Sequence, residues 1–320
     1  MTAVFRVVAS PTTNLSDNII TADQTNYLQC SAFSRWIFTT NARRIWIKAY
    51  SNLYAAYPTF THLAILVNGA TLTTWELSAD GSKTFAADLP AGTKTVEIVN
   101  SLQSKPAATV LGVWPVAVYL SGGGTVTQVT PTTPANRLLA YGDSIAVGGN
   151  CTYPITQGVW GLVRVSVPVI VEAWGYRSLY DDGVDATARQ TFVDHLALSS
   201  PGVVWIAIGT NDYGIPRQTA ANFGTAYADL LDKLHTALPS ATIYAQTPLV
   251  RSSEGANALG DTLGAYRTQI ATAQSTRSAY CNLVDGSAIL EVGDLADGVH
   301  PTTVGHAKYA AAVKTVLGLS

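Results

Sequence analysis

The sequence predicts two domains of different class: an all-β sandwich, jelly-roll-like, followed by an α/β domain built on a parallel sheet. Three observations predict this. Residues 1–125 run as short alternating apolar and polar stretches with turn signals between them and show no helical period of useful length. Residues 135–320 alternate short apolar runs with stretches of helical period, the mark of repeated βα units with helices on both faces of a sheet. Between them, Ser121 to Pro134 is rich in Gly, Thr and Pro, and residues 126–134 read as the linker. A chain of 320 residues has room for two domains, and its 48% hydrophobic content is enough for two cores.

In the first domain, Ile45, Ile47 and Ala49 fall on one side of a strand, with Trp46, Lys48 and Tyr50 on the other. The run His62 to Val67 meets Asn68-Gly69, and Thr71 to Leu77 follows. Asn-Gly between two such runs is a strong hairpin signal, because both residues tolerate positive φ. Pro90-Ala91-Gly92 turns the chain into Thr95 to Val99, and Trp114 to Leu120 closes the set. Trp36, Trp46, Tyr50, Tyr54, Tyr57 and Trp75 read either as a platform for sugar rings or, more simply, as core and scattered surface aromatics.

In the second domain, Leu138 to Tyr141 is an apolar strand that ends at Gly142-Asp143, with Ser144 at its carboxyl end. Val167 to Trp174 is the next strand, ending at Gly175. Val184, Ala188, Phe192 and Leu196 then repeat every four residues, as on a helix. Val203 to Ile208 is wholly apolar, as expected of a strand buried on both faces, and it ends at Gly209-Thr210-Asn211-Asp212. A helix with Phe223, Tyr227, Leu230, Leu231, Leu234 and Leu238 on one face stops before Pro239. Strands at Ala241 to Gln246 and Tyr280 to Asp285 flank a helix expected over Leu259 to Ala273. Asp297 to Pro301 is a loop, and the last helix has Val304, Ala307, Ala311, Val313, Val316 and Leu317 as its expected apolar side. Three strand-to-helix loops therefore carry polar residues on one edge of the sheet, where open α/β folds place their ligands.

Composition excludes several classes. The net charge is -2 and only 12% of residues are charged, with no basic patch to hold nucleic acid and nothing to suggest a polyanionic or membrane-surface partner. No run reaches the length of a membrane span. Cys30, Cys151 and Cys281 are too widely spaced for a zinc or redox motif and read as buried free thiols. The N-terminus shows no charged region leading into an apolar stretch.

The chemistry lies in the three loops. A serine hydroxyl needs a base to become a nucleophile. His300 can serve as that base, and Asp297, three residues earlier, can orient its ring, with Asp294 as a nearby alternative. For an oxyanion, Asn211 offers a side-chain amide, Gly175 an unhindered backbone N–H, and Ser144 its own N–H. Gly183 is an alternative to Gly175, further from the strand end. Asp143 and Asp212 read as loop braces. His195, His235 and His306 read as packed or surface histidines, and Trp160, Arg177 and Tyr213 read equally as pocket lining or packing. The order Ser, Asp, His also occurs in α/β-hydrolases, but their Gly-x-Ser-x-Gly elbow is missing from this sequence.

Gly142-Asp143-Ser144-Ile145, Gly209-Thr210-Asn211-Asp212 and Asp297-Gly298-Val299-His300-Pro301, in that order, resemble the blocks of the SGNH or GDSL-type serine hydrolases. Trp174-Gly175-Tyr176-Arg177-Ser178 departs from the usual second block. The resemblance covers the whole second domain. It implies a flavodoxin-like three-layer fold and ester hydrolysis without metal or cofactor. It also implies Ser144 as nucleophile, His300 as base, Asp297 as its orienting acid, and Gly175, Asn211 and the Ser144 N–H as oxyanion hole. A β-sandwich in front is similar to the layout of carbohydrate esterases. That similarity points to a short acyl ester, acetyl above all, on a saccharide, and to a secreted or periplasmic location. Rival readings are a lipase or thioesterase acting on other acyl esters, and a carbohydrate-binding protein without activity.

Overall fold

The computed structural model describes residues 6–8, 19–21, 35–51, 62–77, 79, 81–100, 113–121, 124–128, 137–183, 185–197 and 200–319. The chain divides into two compact units, Met1–Thr133 and Pro134–Ser320.

Among the described residues the first unit holds ten strands: β1 (Arg6–Val8), β2 (Ile19–Thr21), β3 (Arg35–Thr40), β4 (Arg44–Ser51), β5 (His62–Val67), β6 (Ala70–Glu76), β7 (Gly81–Asp88), β8 (Lys94–Asn100), β9 (Val113–Leu120) and β10 (Val126–Gln128). They form two five-stranded antiparallel sheets, ordered β1-β2-β9-β4-β7 and β10-β3-β8-β5-β6. Ile45, Ile47 and Ala49 of the first sheet and Phe38, Leu63, Ile65, Val96 and Ile98 of the second belong to one apolar cluster. Asn68 (φ 50°) and Gly69 (φ 82°) make the β5–β6 hairpin, both in the left-handed region that a two-residue turn demands. Val126–Gln128, placed in the linker by composition, instead pair with β3, because Asn41 binds Thr125 and starts a strand there. Residues 129–134 lie outside the described residues, as do Cys30, Tyr54 and Tyr57 and the side chains of Trp36 and Tyr50.

The second unit is a five-stranded parallel sheet of β11 (Leu138–Gly142), β12 (Val169–Ala173), β13 (Val203–Ala207), β14 (Thr242–Gln246) and β15 (Cys281–Val284), ordered β12-β11-β13-β14-β15. Its helices are α1 (Pro154–Gln157), α2 (Val159–Val163), α3 (Leu179–Asp182), α4 (Ala186–Ala197), α5 (Thr210–Gly214), α6 (Ala220–Ala237), α7 (Leu263–Ser275) and α8 (Thr303–Leu317). Strand side chains alternate between two cores. Leu139, Tyr141, Val204, Ile206, Ile243 and Ala245 pack with α4, α6 and α7. Trp205, on the other face, meets Trp160 of α2 edge-on at 5.9 Å and stacks on Tyr244 at 5.4 Å, and Tyr309 of α8 joins Trp160 at 6.4 Å. Among the described residues no helix is long and apolar enough to cross a membrane.

Three expectations are corrected. α7 begins at Leu263, not Leu259, because Asn257 and Gly260 (φ 85°) close a turn and Thr262 caps the helix on the Ala265 N–H. α8 buries Gly305, His306, Tyr309, Ala310 and Val313, while Val304 and Val316 are 65% and 41% exposed, so of the expected apolar side Val313 is inside and the inner face is rotated from it. Finally, α1 and α2 fill the stretch after Ser144, where the periodicity gives no helix.

Candidate active site

The strand order reverses between β12-β11 and β13-β14, and β11 and β13 deliver their loops into that switch point. The first loop carries Ser144. Gly142 ends β11 where an added Cβ would come within 2.5 Å of the Ala146 Cβ, so only glycine allows the chain to fold back there. Asp143 is buried beneath the turn, and its Oδ1 accepts the Ile145 N–H at 2.9 Å. The turn is closed by Gly149, whose N–H donates to the Ser144 carbonyl at 2.8 Å.

The loop before α8 carries Asp297 and His300. Asp297 Oδ1 accepts the backbone N–H groups of Val299 (3.0 Å) and His300 (2.8 Å), and Oδ2 faces His300 Nδ1 at 2.7 Å. The other ring nitrogen, Nε2, lies 2.8 Å from Ser144 Oγ. Gly298 (φ 82°) makes this loop possible, since a Cβ there would fall 2.2 Å from Ser252 Oγ. Asp294, the alternative partner, turns away from His300 and binds Lys308 of α8 at 2.6 Å.

The loop after β13 grips the loop after β12. Asn211 Nδ2 donates to the Arg177 carbonyl at 2.9 Å, and Asp212 accepts the backbone N–H groups of Leu179 (3.0 Å) and Tyr180 (3.3 Å). Gly175 is buried in this second loop. Gly183 packs instead against Arg189, which donates to its carbonyl at 2.8 Å. Tyr176, between Gly175 and Arg177, holds a φ of 62° and is 67% exposed. Arg177 is fully buried. Its guanidinium lies 3.4 Å from the Trp174 ring centroid and 4.3 Å from that of Tyr141, and pairs with Asp182 at 2.8 Å.

The carboxylates differ sharply. Burial pushes Asp143 up to about 6, and burial likewise pushes Asp212 up to about 7 against the hydrogen bonds it accepts. Burial alone would raise Asp297 too, but the His300 and Val299 donors hold it well below the usual carboxylate range. A low carboxylate beside Nδ1 keeps a proton on that nitrogen and leaves Nε2 able to accept one from a hydroxyl. The arrangement can thus activate Ser144 as a nucleophile.

Sequence reasoning misses two contributors. Gly149 lies against the His300 ring, with 2.8 Å left between an added Cβ and Cδ2. His306, read as packed or surface, is fully buried, and its contact with the Gly149 carbonyl has no signal in the sequence. Trp160 and Arg177 are packing residues, and Tyr213 is buried with its hydroxyl donating to the Gly255 carbonyl at 3.0 Å. Cys151 and Cys281 are buried free thiols.

Residues 140–308 match the model of the GDSL-like lipase/acylhydrolase family. Three solved structures illustrate the likeness in fold. A salicylyl-acyltransferase from a tetracycline biosynthetic pathway aligns with a TM-score of 0.74 at 16% identity, covering 98% of this chain and 94% of that one. A family two carbohydrate esterase from Cellvibrio japonicus gives 0.64 at 17% identity, covering 99% and 96%. An acetyl xylan esterase from Butyrivibrio proteoclasticus gives 0.66 at 14% identity, covering 93% and 94%. No curated protein sequence matches the chain.

Proposed function

The chain belongs to the GDSL-like lipase/acylhydrolase family and is an ester hydrolase, and from that premise we propose that it removes a short acyl group, acetyl above all, from carbohydrate esters through Ser144, His300 and Asp297. The observation that carries this reading is the continuous line from Asp297 Oδ2 through the His300 ring to Ser144 Oγ, with gaps of 2.7 and 2.8 Å. In the first half-reaction His300 takes the hydroxyl proton as Ser144 attacks the ester carbonyl, then gives it to the leaving alcohol oxygen. Water repeats the sequence on the acyl-enzyme and releases the acid. The developing oxyanion takes hydrogen bonds from the N–H groups of Ser144 and Gly175 and from the second amide N–H of Asn211, whose first is held by Arg177.

The fold shared with an acetyl xylan esterase and a family two carbohydrate esterase supports a saccharide substrate. The first unit supports it too: its two antiparallel sheets, with β2-β9-β4-β7 in one and β3-β8-β5-β6 in the other, fit a jelly-roll reading, and jelly rolls occur among lectin domains. The test is acetate release from acetylated xylan and acetyl sugars, beside p-nitrophenyl acetate and octanoate, with Ser144→Ala as control. Acetate from the sugars, lost in Ser144→Ala, is the expected result. Rates that rise with chain length on p-nitrophenyl esters, with no acetate from sugars, would move the substrate to lipids or thioesters. Full activity in Ser144→Ala would sink the mechanism.

A further inference from the structure

One buried titratable side chain reaches the catalytic turn without a part in the mechanism above. His306 is fully buried on the inner face of α8. The Val159 N–H, at the start of α2, donates to its Nδ1 at 3.3 Å. That nitrogen therefore carries no proton, and the ring proton sits on Nε2. Nε2–H in turn donates to the Gly149 carbonyl at 2.9 Å. Burial pushes the ring down to about 4, so the neutral donor form persists across the range in which an esterase works.

Gly149 is where this bond acts. Its own N–H donates to the Ser144 carbonyl at 2.8 Å, and its Cα sits so near His300 that a Cβ would be 2.8 Å from Cδ2. One residue thus touches both the nucleophile's main chain and the base's ring. We propose that His306 is a positioning residue for ester hydrolysis: its Nε2–H pins the Gly149 carbonyl and so holds Ser144 and His300 at attack distance. The inference rests on reading Ser144 and His300 as the reacting pair.

Three substitutions in the full chain separate a donor from a packing role. In His306→Phe a planar ring of somewhat larger volume stays and the donor goes. His306→Gln offers an amide N–H near the position of Nε2, while His306→Asn supplies only the acceptor for Val159. The readouts are kcat and KM for p-nitrophenyl acetate, the second-order rate of Ser144 phosphonylation by a fluorophosphonate, and the thermal midpoint. The expected result is a fall of about 30- to 100-fold in kcat and in phosphonylation for His306→Phe and His306→Asn, with KM within about twofold and His306→Gln restored to within about fivefold of the parent. His306→Phe that folds and keeps kcat within about threefold of the parent would overturn the proposal. So would His306→Gln as slow as His306→Phe, and if His306→Phe does not fold, His306→Asn at full rate does the same. Ser144→Ala separates the two readings: activity there would remove the triad itself, whereas a dead Ser144→Ala beside an active His306→Phe removes only the role of His306.

Discussion

Replacing Gly149 by alanine perturbs Ser144 and His300 through a single methyl group. That methyl would lie 2.8 Å from His300 Cδ2, 2.9 Å from the Ser144 carbonyl oxygen and 3.4 Å from His300 Nε2. Carbon–carbon contacts settle near 3.5 to 4.0 Å, so one neighbour must retreat by about 0.7 Å or more. The Ser144 carbonyl belongs to a turn closed by the Gly149 N–H at 2.8 Å and has little room to yield. The ring therefore moves. Its Nε2 now stands 2.8 Å from Ser144 Oγ. A retreat of that size carries the pair to about 3.5 Å, past a useful hydrogen bond. Misplacement on the order of 1 Å costs roughly 100-fold in rate, about 2.7 kcal/mol of transition-state stabilisation. The backbone of Gly149 lies outside the left-handed region, so φ adds no strain, and the 2.9 Å approach to the Ser144 carbonyl oxygen adds its own push on the turn. The expected outcome is a fall of about 100-fold in kcat/KM for p-nitrophenyl acetate, with the circular dichroism spectrum unchanged. A folded Gly149→Ala variant within about threefold of the parent would refute the contact argument.

Three further outcomes follow from the same geometry. Asp297→Asn should lower kcat by roughly 100- to 10,000-fold, because an amide no longer holds the proton on Nδ1, and the loss is read by steady-state kinetics at pH 7.5. Asn211→Ala should cost about 100- to 1,000-fold in kcat by removing an oxyanion donor, and an unchanged kcat would leave that donor elsewhere. His306 sits near 4 in the fold against 6.5 for a free histidine, so the unfolded chain binds more protons between those values and stability rises with pH across that window. Above pH 6.5 its contribution is complete, and as pH falls toward 4 about 3 kcal/mol is lost. Asp143 and Asp212 are raised by burial and have the opposite slope. The readout is therefore the difference between parent and His306→Phe in urea melts, which should narrow from pH 7.5 to 4.5.

The site is legible in the sequence where it sits at strand ends. Ser144 and Asn211 follow apolar runs buried on both faces, and such runs announce both the strand and the loop beyond it. His300 and Asp297 are legible because they share one short loop, so their contact needs no tertiary knowledge. The inner face of α8 is not legible, because alanines lie on every side of that helix and the residues that decide its rotation are His306 and Tyr309. Their polar atoms find partners only in the fold, Gly149 for one and Gln246 for the other. Arg177 is left between pocket lining and packing for the same reason. A guanidinium beside a glycine loop looks like a pocket cation, but three rings and Asp182 surround it here. Helices as short as α1 and α2 complete too few turns to set up a period.

The hold that Asn211 and Asp212 keep on the loop after β12 is entirely on its main chain: the Arg177 carbonyl and the N–H groups of Leu179 and Tyr180. A loop fastened in this way does not depend on the identity of its exposed side chains. Tyr176 projects from it into solvent, one peptide away from Gly175, but its φ of 62° is left-handed, so Gly, Asn and Asp suit the position and β-branched residues strain it. The place of this loop is thus set by the two residues that follow β13, and what its exposed position 176 can carry is set by the left-handed turn of its own backbone.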